Sequence, residues 1–100
     1  MEKGTPHYAL TAMQAAVGQA GIEAFTQTAL QGGIAMGLTQ AQMLGVIARL
    51  TQRDFYKSMT TYHDHRVWQD VYHGHCPNGL IAYIKLTHVD ERLVIQFKEK

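Results

Sequence analysis

The chain has 100 residues, 46% of them hydrophobic and 17% charged, with nine basic and eight acidic residues and a formal charge of +1. Those figures exclude a disordered tail, a histone-like polycation and a strongly acidic solvating segment, and they suit one small domain over residues 1–100. A single cysteine, Cys76, excludes an internal disulfide and favours a reducing compartment. No apolar run approaches the ~20 residues of a membrane-spanning helix, and the opening Met1-Glu2-Lys3-Gly4-Thr5-Pro6 lacks the basic-then-apolar order of a signal peptide. The expectation is a soluble cytoplasmic domain that does not engage a membrane.

The near-neutral average conceals two unlike halves. Residues 1–50 carry Lys3 and Arg49 as their only basic residues and Glu2 and Glu23 as their only acidic ones, amid helix-favouring Ala, Gln, Leu and Met. Residues 51–100 carry the other seven basic residues, six acidic residues and five of the six histidines, together with strand-favouring Val, Ile, Tyr, Thr and Phe. Helices followed by strands predict an α+β fold, N-terminal helices packed on a C-terminal antiparallel sheet.

In chain order, Ala9, Leu10, Met13, Ala16 and Val17 follow the spacing of an apolar helical stripe, with Gly18 and Gly21 as its stop. A second helix is predicted over Glu23–Leu30, ending at Gly32-Gly33, with Phe25, Ala29 and Leu30 buried. The third starts at a capping box, Thr39 with Gln42, and buries Met43, Val46, Ile47 and Leu50. Gly45 either weakens that helix or marks a close contact. Met13, Met36 and Met43 sit at core-like positions. A capped turn over Thr51–Asp54 leads to Phe55-Tyr56-Lys57. Strands are then predicted over Val67–His73, Leu80–Thr87 and Leu93–Lys98, the first two separated by a Pro77-Asn78-Gly79 turn.

Alternation sorts these strands by face. Leu80, Ala82, Ile84 and Leu86 oppose Ile81, Tyr83, Lys85 and Thr87, while Leu93, Ile95 and Phe97 oppose Val94, Gln96 and Lys98. With the apolar sets on the helices, Tyr83, Lys85, Gln96 and Lys98 share the outer face, and Gln69 joins them if Trp68 points inward. Lys57, and Arg66 from the neighbouring loop, extend the set. Lysines neutralise phosphate, Gln and Tyr can hydrogen-bond bases, and a Lys or Tyr of shifted pKa can move a proton, which is what cleavage of single-stranded RNA through its own 2′-hydroxyl requires. An ordinary solvated sheet face would carry the same residue types.

The histidines offer another reading. His63-Asp64-His65 and His73-Gly74-His75-Cys76 supply ligand types that zinc or nickel accept, but no CxxC or HExxH spacing accompanies them, so no metal is assigned and exposed loop histidines flanking the sheet are expected instead. Cys76, in a turn before Pro77, reads as an incidental free thiol. Gly32-Gly33 and Gly37 lack the context of a phosphate-binding loop.

Longer motifs then narrow the field. Asp54-Phe55-Tyr56-Lys57-Ser58-Met59-Thr60-Thr61-Tyr62, Asp64-His65, Trp68-Gln69-Asp70-Val71-Tyr72 and the terminal Phe97-Lys98-Glu99-Lys100 closely resemble the MqsR family of bacterial toxins, and Met1-Glu2-Lys3 and Thr5-Pro6-His7 match as well. The resemblance implies a RelE-like α+β fold and an mRNA interferase of a type II toxin–antitoxin module. Such an enzyme cleaves single-stranded mRNA without ribosome, metal or other cofactor, with a preference around G-C-U. An MqsA-like antitoxin neutralises it, and operator DNA is engaged only through that antitoxin. The family's catalytic residues carry over to Lys57, Gln69, Tyr83 and Lys98. Lys57 and Lys98 would bind phosphate and stabilise the transition state, Tyr83 would serve as acid, base or phosphate donor, and Gln69 would orient the substrate. Arg66 and Lys85 are candidate RNA contacts. Two other readings of the same residues stand beside this one: a non-catalytic toxin-like binding module acting in operon regulation through its antitoxin, and a His/Cys metal-binding domain centred on residues 63–76.

Overall fold

A computed structural model describes residues 1–100. It has the expected α+β architecture, three helices packed on one face of a five-stranded antiparallel sheet. None of the helices is long and apolar enough to cross a membrane.

Helix α1 (Leu10–Ala20) buries Leu10, Met13 and Val17, as the stripe requires. It continues through Gly18 and stops at Gly21, whose φ of 61° is the left-handed conformation that releases the chain. The second helix departs from expectation. Gly21–Ala24 forms a short 3-10 turn, Phe25 bridges to Ile95, and helix α2 (Gln27–Ala35) begins only where Thr26 caps it by accepting a hydrogen bond from the Ala29 amide.

Gly32 and Gly33 lie inside α2 instead of ending it, because close packing and not chain reversal fixes them. A Cβ at Gly32 would collide with the backbone carbonyl of Phe97, and one at Gly33 with the Met43 side chain. Helix and strand thus touch backbone to backbone. Gly32→Ala is therefore expected to lower stability by a net ~1–3 kcal/mol, overpacking outweighing the propensity gain, measured as a fall in the denaturation midpoint at unchanged slope. Helix α3 (Gln40–Ala48) carries the complete Thr39–Gln42 capping box and buries Met43, Val46 and Ile47. A Cβ at Gly45 would meet the Arg49 guanidinium 3.0 Å away, the movable end of an exposed side chain and not a fixed neighbour.

Strand β1 (Glu2–Lys3) was not expected. It pairs with β2 (Phe55–Thr60), which continues through β3 (Trp68–His75), β4 (Ile81–Val89) and β5 (Arg92–Glu99) in the order of the chain. β3 runs two residues beyond the predicted end, so His75 joins His73 as a strand residue. β4 and β5 extend to a two-residue turn, Asp90-Glu91, with both residues at positive φ, the geometry whose twist suits a tight hairpin. The inner face of the sheet (Tyr72, Ala82, Ile84, Leu86, Ile95 and Phe97) is buried against the helices in one continuous cluster that also contains Met13, Met36 and Met43. Each large apolar side chain fully buried there contributes roughly 1.5–3 kcal/mol. At Gly74 the absent side chain admits Val46 and Leu50, bringing α3 onto β3.

One charged residue sits in this interior. Asp70 is almost fully buried and accepts hydrogen bonds from the Ser58 hydroxyl at 2.7 Å, the His7 amide at 3.0 Å and the Tyr8 amide at 2.8 Å. Its register partner across β2–β3 is Ser58. The carboxylate thereby fastens the segment leading into α1 to the sheet. Tyr8 adds a hydroxyl bond to the Trp68 carbonyl at 2.8 Å, and the Trp68 indole is stacked by His7 and covered by the Lys3 ammonium 4.1 Å from its centroid.

Candidate active site

The face of the sheet away from the helices is built in three cross-strand rows. The first runs His73, Tyr83, Lys98; the second Lys57, Val71, Lys85, Gln96; the third Met59, Gln69, Thr87, Val94. Adjacent strands stand ~4.8 Å apart, so Lys57, Gln69, Tyr83 and Lys98 occupy one contiguous surface. Lys85 lies at its centre. Trp68 and Tyr72 share the opposite face with buried Asp70, and Gln69 accordingly faces outward with Val71.

A break in register between Phe55 and Lys57 adds to the first row. There β2 carries one extra residue, so Phe55 packs inward edge-on against Tyr72 while Tyr56 and Lys57 both serve the outer face. The Tyr56 ring stacks on His73 at 4.5 Å, and His73 lies 5.7 Å from Tyr83. The Lys98 ammonium stands 5.5 Å from the Tyr83 ring and that of Lys57 5.4 Å from the Tyr56 ring.

The charges on this face are unequal in their surroundings. Glu2 of β1 receives a 2.5 Å hydrogen bond from the Lys57 ammonium, which raises the pKa of the lysine and holds its proton. Lys85 is displaced the other way, first by burial and then by the positive charges of Lys98 and Lys57. The two ion pairs of the chain, Lys57–Glu2 and Arg66–Asp64, leave Lys85 and Lys98 without a carboxylate. Crowded, uncompensated ammonium groups of this kind are relieved by an anion. Two clefts flank them. One, of about 340 Å³, lies between α2 and β5 and is lined by Thr26, Thr28, Tyr83, Lys85, Gln96 and Lys98. The other, of about 470 Å³, includes Tyr62, His63, His65, Gln69, Lys85 and Gln96. They meet at Lys85 and Gln96, forming a track across the sheet.

Not every candidate joins this surface. Arg66 lies in the 61–67 loop, fully solvated and committed to Asp64 through Nε at 3.1 Å and Nη2 at 3.2 Å. The histidines are not uniformly loop residues: His63 and His65 line the second cleft, whereas His73 belongs to the first row of the sheet. Strand parity with Gln69 and Val71 was the signal that could have found it. Glu2 and Tyr56 were also missed, the first for want of any periodic pattern in a two-residue strand and the second because a bulge breaks parity. No three His, Cys, Asp or Glu side chains converge as a ligand set. Cys76 is buried under the turn, and burial pushes its thiol pKa up.

The profile of the family described as motility quorum-sensing regulator, toxin of MqsA, matches residues 5–99. The mRNA interferase toxin MqsR of Escherichia coli (strain K12) is 44% identical over 100 residues, the whole of both chains. With a family match across nearly every residue and a relative this similar along its full length, the chain belongs to the MqsR toxin family.

Proposed function

We propose that this protein is the toxin of a type II toxin–antitoxin module, an endoribonuclease that cleaves single-stranded mRNA around G-C-U sequences without ribosome or metal. The observation that carries the reading is the outer sheet face, where Lys57, Lys85 and Lys98 surround Tyr83 and Gln69 beside a track two clefts long. Family membership and a relative named as an mRNA interferase support it. The fold is read as RelE-like, the setting is the bacterial cytoplasm, and an MqsA-like antitoxin both neutralises the toxin and connects it to operator DNA.

The chemistry follows from the side chains. An RNA strand laid along the track brings a phosphodiester over Lys85, with Lys57 and Lys98 on either side. The 2′-oxygen attacks phosphorus, and charge on the non-bridging oxygens is stabilised by fixed ammonium groups on a partly desolvated surface. Lys57, kept protonated by Glu2, is an electrostatic stabiliser and a proton donor to the departing 5′-oxygen. The Tyr83 hydroxyl donates to the phosphate, and the Gln69 amide orients a neighbouring base in the second cleft. Arg66 contacts the RNA backbone only after exchanging Asp64 for phosphate.

Purified protein incubated with a single-stranded mRNA and EDTA is expected to produce fragments ending in 2′,3′-cyclic phosphate. Expression of the chain alone is expected to arrest growth, with rescue by the co-expressed antitoxin. Loss of cleavage in chelator would refute the metal-free mechanism. Tight antitoxin binding with neither cleavage nor arrest would leave only the binding module.

A further inference from the structure

From the position of His73 in the Tyr56–His73–Tyr83–Lys98 row we infer that its imidazole is the general base of the cleavage reaction, taking the proton from the 2′-hydroxyl. The inference rests on the endoribonuclease reading and deepens it. In that reading Lys57, Lys85 and Lys98 are ammonium groups facing the phosphate, the Tyr83 hydroxyl donates to it, and Gln69 does not titrate. A base operating at neutral pH is therefore wanted from another side chain on the same face. His73 is one strand from Tyr83 and two from Lys98, half-buried, and oriented by stacking of its ring face on Tyr56. Stacking against Tyr56 on one side and the tilted Tyr83 ring on the other restrains the imidazole.

The surroundings favour the neutral, proton-accepting form. Burial lowers the His73 pKa below its ordinary value, and the positive charge of Lys100 lowers it further. The groups around this part of the face are Tyr56 and Lys57 from β2, Tyr83 and Lys85 from β4, and Lys98 and Lys100 from β5 and its end. None is a carboxylate that would hold the imidazolium. In the reaction the O2′–P bond forms as the P–O5′ bond breaks. The 2′ proton passes to a His73 ring nitrogen, and the 5′-oxygen takes a proton from the Lys57 ammonium. Solvent then restores both groups, leaving a 2′,3′-cyclic phosphate and a free 5′-hydroxyl.

The test compares wild type, His73→Gln and His73→Ala on a short RNA, with binding of the uncleavable all-2′-deoxy oligonucleotide as the check on folding. General-base loss is expected to lower kcat by about 100-fold or more at pH 7, with KM and 2′-deoxy binding within about threefold, and added imidazole should restore part of the rate to His73→Ala. In wild type the rate should rise with pH and level off below pH 7. A wild type that cleaves, accompanied by a His73→Gln variant of unchanged kcat, overturns the inference and leaves the endoribonuclease reading standing. A wild type that does not cleave overturns both. Should both variants fail to bind the deoxy oligonucleotide, the wild-type profile decides: a rate still climbing above pH 9 assigns the base to a lysine or tyrosine instead.

Discussion

Replacing Lys57 and Lys98 together by alanine is expected to reduce RNA cleavage by at least about a thousandfold at unchanged folding stability. Removing one donor aimed at developing charge costs on the order of 10²–10³ in rate, and two groups acting on one phosphate lose less than the product of their separate effects. Both side chains reach the outer face from strands anchored by inward-facing neighbours, so neither alanine opens the core. The Lys57 partner, Glu2, is itself well exposed, and a surface ion pair of this kind contributes little to folding. Single-turnover cleavage of labelled RNA, measured beside the melting temperature of the same preparation, separates the effects. Cleavage retained in full by a folded double variant would remove both lysines from the machinery.

The largest expected loss of stability falls on the other face of the same sheet. Asp70→Ala would leave the Ser58 hydroxyl and the His7 and Tyr8 amides without their acceptor in a site where Asp70 is only 1% exposed. Stranding the partners of a buried, fully bonded charge costs about 3–5 kcal/mol. For a domain of this size that is a fall in melting temperature of roughly 15–25 °C. Ser58→Ala removes one donor and keeps the rest, so a loss of about 1 kcal/mol is expected. A denaturation curve for Asp70→Ala within 1 kcal/mol of wild type would show that water replaces the carboxylate and that the network does not hold the N-terminal segment in place.

Sequence patterns made some of this architecture readable and concealed the rest for definite reasons. The alternation in β4 and β5 was informative because helices cover one side of an antiparallel sheet while the other meets solvent, which by itself puts Tyr83, Lys85, Gln96 and Lys98 on one face. The Thr39–Gln42 box was equally direct, since a helix start is a local event. Gly32-Gly33 misled because glycine has two uses, ending helices and letting backbones touch, and only the position of Phe97 shows which applies here. The partner of β1 lies some 55 residues away, beyond the reach of any local pattern. At Tyr56 the extra residue of the bulge moves a side chain from one face to the other, so parity alone cannot assign it. Arg66 lies outside any strand, so alternation says nothing about its side chain, which the loop pairs with Asp64.

The pairing of β1 with β2 sets an order of assembly. Strands β2 to β5 follow one another along the chain, and each hairpin closes a short loop, whereas the Glu2–Lys57 contact and the bonds of His7 and Tyr8 to Asp70 each close a loop of more than fifty residues. Loop-closure entropy disfavours such contacts until the rest has formed. The N-terminal strap therefore docks late and, having little apolar burial of its own in β1, is among the first parts to open. A transient release of residues 1–3 would free the Lys57 ammonium from its carboxylate while the sheet and its core remained intact, so an approaching phosphate competes with a weakly held strap and not with the folded domain.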